Sequence, residues 1–124
     1  MGRGISGKQY GTEYKMLYKA GNIKFIKYKD ASNATPPRIT QTKGRVYVTI
    51  NGEGKPAYIT YFDNNLKRSK NIDLLHKHAG MMPHTHHGYN HNENDGKKGA
   101  ANLTTKEKEM VARIIDLWYN RKSK

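Results

Sequence analysis

Apolar residues alternate with polar ones in several short stretches of the chain. Val46, Val48 and Ile50 recur at every second position of RVYVTI (45–50), the period of a strand with one buried face. Asn51-Gly52-Glu53-Gly54 supplies turn residues, and PAYITYF (56–62) alternates again. Asp63-Asn64-Asn65 predicts a second turn into KNIDLL (70–75). Three strands joined by short turns make an antiparallel meander. Upstream, 13–20 and 23–29 read as a hairpin around Ala20-Gly21-Asn22, with alternation in Met16/Tyr18 and Ile23/Phe25. Between hairpin and meander, residues 30–44 hold Pro36-Pro37 and many small polar residues, so they read as a loop or extended arm.

The period changes near the end of the chain. Thr104 followed by Glu107 forms a capping box, in which hydroxyl and carboxylate satisfy each other's backbone N–H groups. Beyond it, Val111, Ile114, Ile115 and Trp118 recur at helical spacing with Met110 beside them. The stripe predicts a helix lying on the sheet, and Arg121, Lys122 and Lys124 suit the negative end of its dipole. The predicted fold is α+β: a twisted antiparallel β-sheet of about five strands, hairpin plus meander, with one C-terminal helix packed on it. Residues 1–12, with four glycines, read as a flexible lead-in, and 13–124 as a single basic domain. The glycine-rich, polar start lacks the apolar core of a signal peptide and reads as a cut inside a longer chain.

Charge narrows the partners. Lys and Arg number 23 against 10 Asp and Glu, a formal net charge of +13 on 124 residues. Such an excess favours a polyanion, with nucleic acid ahead of an anionic membrane surface, and it also suits an acidic inhibitor (immunity) protein. No segment reaches membrane-spanning length. Cysteine is absent, which excludes disulfides, thiolate metal sites and cysteine nucleophiles.

All six histidines fall within sixteen positions: His76, His78, His84, His86, His87 and His91. Imidazole exchanges protons near neutral pH and is the commonest metal ligand. The stretch, broken by Gly80, Pro83 and Gly88, predicts a bent loop that gathers imidazoles. Cleavage of RNA by its own 2′-hydroxyl needs a base, an acid and a cation for the phosphoryl oxygens. His84 and His86 share a face in extended geometry and form the predicted acid–base pair, with His87 and Tyr89 beside them. Lys67, Arg68, Lys70 and Lys77 are the predicted phosphate-binding residues. On this reading no cofactor is needed. The competing reading is a zinc or other divalent-metal site of His84, His86 and His91, with Asp73 or Glu93 as the carboxylate. His76, His78 and His91 suit structural roles, and Tyr47, Tyr58 and Tyr61 suit cross-strand packing more than base stacking.

The run YITYFDNNLKRSKNIDL, followed by H-x-H-x-G, PHTHHGY and a capped final helix, resembles the C-terminal toxin domains of polymorphic toxins. It is similar also to the ends of phage minor head (head-morphogenesis) proteins. The likeness spans roughly residues 11–121 and is strongest from Tyr58 to Tyr89. It implies a small basic ribonuclease with a curved antiparallel sheet, akin to the barnase and colicin group, with His84 and His86 at the centre. One departure is that those nucleases place their helices before the sheet, whereas here the clear helix comes last. The resemblance implies the cytoplasm of a target or host cell for a toxin, and the virion for a phage protein. It also keeps open a non-catalytic nucleic-acid-binding or virion module, while the histidine pattern itself leaves a metal-dependent DNA nuclease as a third reading.

Overall fold

Phe25, Val48, Ile59, Ile72 and Thr85 lie side by side in one row across five strands, and none of them is exposed to solvent. The row belongs to a computed structural model that describes residues 14–28, 36–37, 40, 43–75, 83–88, 95 and 100–121. Six strands form one sheet in sequence order: β1 (Tyr14–Ala20), β2 (Ile23–Tyr28), β3 (Val46–Ile50), β4 (Pro56–Phe62), β5 (Arg68–Asp73) and β6 (His84–His87). The helix α1 spans Thr105–Tyr119. The α+β architecture agrees with the hydrophobic pattern, with two changes. Strand β6 adds an edge, and β2 pairs with β3 in parallel while the other neighbours are antiparallel. The predicted lead-in lies outside the described residues.

Side-chain chemistry at the turns sets the strand order. Asn51 Oδ1 accepts from the Glu53 and Lys55 amides, both at 2.9 Å. Asp63 Oδ1 does the same for Asn65 and Lys67. Short acceptor side chains thus reverse the chain at both ends of β4. Gly21, with φ of 61°, supplies the left-handed residue of the β1–β2 turn.

The two faces of the sheet differ in kind. One is apolar: Ile23, Phe25, Val46, Val48, Ile50, Ile59 and Ile72 pack against Ile114 and Trp118 of the helix. The Trp118 ring stacks on Phe25 at 5.3 Å between centroids and its indole N–H donates to the Gly54 carbonyl. Burying each large apolar side chain contributes about 1.5–3 kcal/mol, so this face carries the fold. Ile115, part of the predicted stripe, is 43% exposed, while Ile114 and Trp118 form the covered edge. The capping box forms, with Glu107 N–H on Thr104 Oγ1 and Thr104 N–H on Glu107 Oε1.

The other face becomes polar toward β6. At its aromatic end Tyr14, Ile26 and Tyr47 cluster with Tyr28 and Phe62, and Tyr47 shares a hydrogen bond with Thr40. From there two rows cross the sheet, Tyr47–Thr60–Asn71–His86 and Thr49–Tyr58–Asp73–His84. Thr60 donates to Asn71 Oδ1 at 2.6 Å, and Thr49, Thr60, Asn71, Asp73, His84 and His86 are all buried. Both rows end on imidazoles.

Candidate functional site

The histidine stretch was expected to be a loop, but His84–His87 is a strand hydrogen-bonded to β5. Alternation along that strand divides its histidines between the two faces. His84 and His86 stand on the polar face, 1% and 4% exposed. Their Nε2 atoms are 2.8 Å apart and the rings meet edge to face. Asp73, the cross-strand partner of His84, brings Oδ2 to 3.7 Å from His84 Nε2. The three donor atoms lie within 4.8 Å of one another. Asp73 Oδ1 accepts the Leu75 amide. Across the sheet, Tyr58 has its pKa raised, by burial first and then by the Asp73 carboxylate.

This geometry changes the role assigned to the pair. An acid and a base that share a phosphodiester must sit on separate oxygens, each within about 3 Å. Two Nε2 atoms in direct contact leave no room for a phosphoryl group between them. Nor do the three form a carboxylate–imidazole relay, which would place the carboxylate on the other ring nitrogen. Both neighbours approach the same Nε2 instead.

His87 faces the other way, toward the helix side. Asp95, buried and eight residues on, accepts from the His87 backbone N–H at 2.8 Å and from its ring Nδ1–H. Burial would raise the Asp95 pKa, but these His87 hydrogen bonds bring it below the ordinary carboxylate value. The side chain of His87 is 40% exposed, and a carboxylate on Nδ1 leaves Nε2 as the lone-pair nitrogen. Gly88, at φ 94°, turns the chain off the strand immediately afterwards.

Lys70 is the cross-strand partner of His87, so both side chains share this face. Its ammonium donates to Glu107 Oε2 at 2.6 Å and lies 4.6 Å above the Tyr61 ring. Thr85, also on this side, donates to Glu107 Oε1 at 3.2 Å. Burial alone would raise the Glu107 pKa, but Lys70, the Thr104 amide and Thr85 together bring it down. Tyr61 is pushed up to about 12, by burial and then by Glu107. The described face therefore holds an oriented imidazole, an ammonium and a phenol.

Of the residues predicted to bind phosphate, Lys67 is exposed and Arg68 buried, while Lys70 stands on the face away from His84 and His86. Of the expected histidines Lys70 therefore stands with His87, because β5 alternates as β6 does. His76, Lys77, His78, Tyr89, His91 and Glu93 lie outside the described residues. On the hairpin, Lys15 and Lys27 pair across the strands and line a cleft of about 420 Å³ with Trp118 and Arg121. Arg121 lies 3.5 Å above the Trp118 ring. No helix among the described residues is long and apolar enough to cross a membrane. No family model, curated protein or solved structure matches the chain.

Proposed function

We propose that this domain is a small basic ribonuclease of the toxin type, cleaving RNA through its own 2′-hydroxyl, with His87 as the residue that moves the proton. The observation that carries the reading is the His87–Asp95 pair: a part-exposed imidazole whose Nδ1 is held by a buried carboxylate. Asp95 fixes the tautomer and keeps Nε2 available as an acceptor. In the reaction Nε2 takes the proton of the 2′-hydroxyl and the 2′-oxygen attacks phosphorus. The bond to the 5′-oxygen breaks, leaving a 2′,3′-cyclic phosphate, and solvent protonates the leaving oxygen. Lys70, on the same face, keeps two N–H donors beyond the one given to Glu107 and can offset charge on the phosphoryl oxygens. The net charge of +13 supplies the long-range attraction to the polyanion. RNA is favoured over DNA because this chemistry uses a nucleophile that DNA lacks.

The test is digestion of matched RNA and DNA oligonucleotides in a chelator, with circular dichroism confirming that the protein stays folded there. RNA fragments ending in 2′,3′-cyclic phosphate, with DNA intact, support the reading. Intact RNA with salt-sensitive binding would leave a nucleic-acid-binding module, and cleavage of DNA that depends on metal would replace the proposal by a metal nuclease.

A further inference from the structure

Three buried ionisable side chains on the polar face take no part in that chemistry. We infer that Asp73, His84 and His86 form a binding site for one divalent transition-metal ion of the zinc type, serving to hold the β5–β6 edge of the sheet. The inference does not depend on the ribonuclease reading, since the site lies on the opposite face from His87.

Geometry is the first argument. Zinc bonds to imidazole nitrogen and carboxylate oxygen are about 2.0–2.2 Å long, which at a tetrahedral angle separates two ligand atoms by about 3.3 Å. The observed separations, 2.8 Å between the imidazole nitrogens and 3.7 Å from carboxylate to imidazole, fall on either side of that distance. An ion among all three needs these two separations to change by about half an ångström and the third, Asp73 to His86, to close from within 4.8 Å, movements made by rotating the side chains.

The donor set is the second argument. Two imidazoles and one carboxylate match a borderline ion, and cysteine is absent, which removes the softer alternative. The local fold explains the spacing. His84 and His86 share a face because one residue separates them on a strand, and Asp73 joins them because it sits opposite His84 on β5. The cross-strand register therefore assembles the ligands from two strands without using a loop.

Burial is the third argument. Asp73, His84 and His86 are 6%, 1% and 4% exposed. A bound cation would add positive charge directly to a buried carboxylate that also accepts the Leu75 amide. Without the ion, one imidazole donates its Nε2 proton to the other, and the ion would take the place of that proton. The described residues supply three donors, so a fourth position would fall to water or to another ligand.

Titration of Zn²⁺ into chelator-stripped protein, followed by calorimetry, tests the site without any reference to activity. The expected result is one ion per chain bound at micromolar concentration or tighter. Co²⁺ in its place should give the visible absorption of a four-coordinate ion with nitrogen and oxygen donors. Asp73→Asn and His86→Gln should each weaken Zn²⁺ binding at least tenfold, while His87→Ala keeps it. Zn²⁺ should raise the melting temperature of the native chain and of His87→Ala. Should Asp73→Asn fail to fold, His86→Gln carries the assignment on its own beside the stoichiometry of the native chain. Absence of micromolar binding to the native chain overturns the inference. So does Zn²⁺ binding that Asp73→Asn and His86→Gln leave unchanged, because the ion would then be held by other histidines. Zinc binding with no RNA cleavage would leave this site standing and remove the ribonuclease reading. Cleavage in the native chain without zinc binding would do the reverse.

Discussion

Asp95 holds His87 twice, accepting both its backbone N–H and its ring Nδ1–H, so the imidazole is fixed in position and tautomer by one buried carboxylate. His86, next along the strand, faces the opposite way and touches His84. Neighbours in sequence thus stand on different faces of the sheet and answer to different partners. The proposed chemistry follows the first pair and the proposed metal the second.

Replacing Asp95 by Asn keeps the size of the clamp and removes its charge. The amide can present its N–H₂ to Nδ1 and favour the other tautomer, leaving the imidazole wrongly protonated for base catalysis. RNA cleavage by Asp95→Asn should fall by about a hundredfold to a thousandfold, the lower part of the range one positioned proton-transfer group contributes. Initial rates on a fluorogenic ribonucleotide substrate measure this, with thermal melting run beside it. A rate equal to the native one would show that the clamp only ties down the chain after β6.

Glu107 links the helix cap to the sheet, accepting from Lys70, Thr85 and the Thr104 amide. Its folded pKa lies below the ordinary value of 4.5. The stability it contributes is therefore complete above about pH 4.5 and lost as pH falls through the lower folded value. Glu107→Gln should be less stable than the native chain by about 1.5–3 kcal/mol at pH 7, the range for hydrogen bonds to a charged group. The difference should shrink at acid pH below the folded pKa, where the native carboxylate is protonated too. Urea unfolding at the two pH values measures both figures, and a gap that does not narrow would contradict this account of the cap.

Trp118 and Ile115 belong to one stripe by spacing, yet the fold treats them differently. Trp118 is 4% exposed, stacked on Phe25 and bonded to Gly54, whereas Ile115 is 43% exposed. Trp118→Ala should cost about 3–5 kcal/mol. Ile115→Ala should change stability by no more than about 0.5 kcal/mol. Denaturant midpoints at constant slope separate the two, and equal losses would mean that the helix is rotated from the orientation described.

Most of the scaffold could be read from local pattern. The alternation of Val46, Val48 and Ile50, the Asn51 and Asp63 turns and the Thr104–Glu107 cap are signals confined to a few residues, and each element formed where its signal lies. The sharing of one face by His84 and His86 was legible for the same reason. Strand β6 was not, because HTHH has no apolar alternation. It is a strand because β5 offers it a hydrogen-bonding edge, with Ile72 opposite Thr85. The parallel pairing of β2 with β3 depends on the path of the chain between them, which no short-range pattern specifies. The Asp95 clamp also left no trace, since an aspartate in an Asn- and Gly-rich segment resembles any turn residue. That Lys70 stands beside His87, and not beside His84 and His86, depends on the strand register, which the sequence does not specify.

Charge should show itself apart from catalysis. A cleavage-deficient His87→Ala protein should bind RNA, with affinity falling by about tenfold or more as salt rises from about 50 to about 200 mM. Fluorescence anisotropy at several salt concentrations gives the slope. A slope near zero would remove the polyanion from the list of partners.

The division of labour between the two faces of β6 is tested most directly by single-turnover cleavage of RNA by His87→Ala beside the native protein, at matched folding and matched zinc content. The account predicts that the native chain yields 2′,3′-cyclic phosphate ends and that the variant does so at least about a hundredfold more slowly, with its melting temperature close to native. Cleavage at an undiminished rate by a folded His87→Ala protein would contradict it.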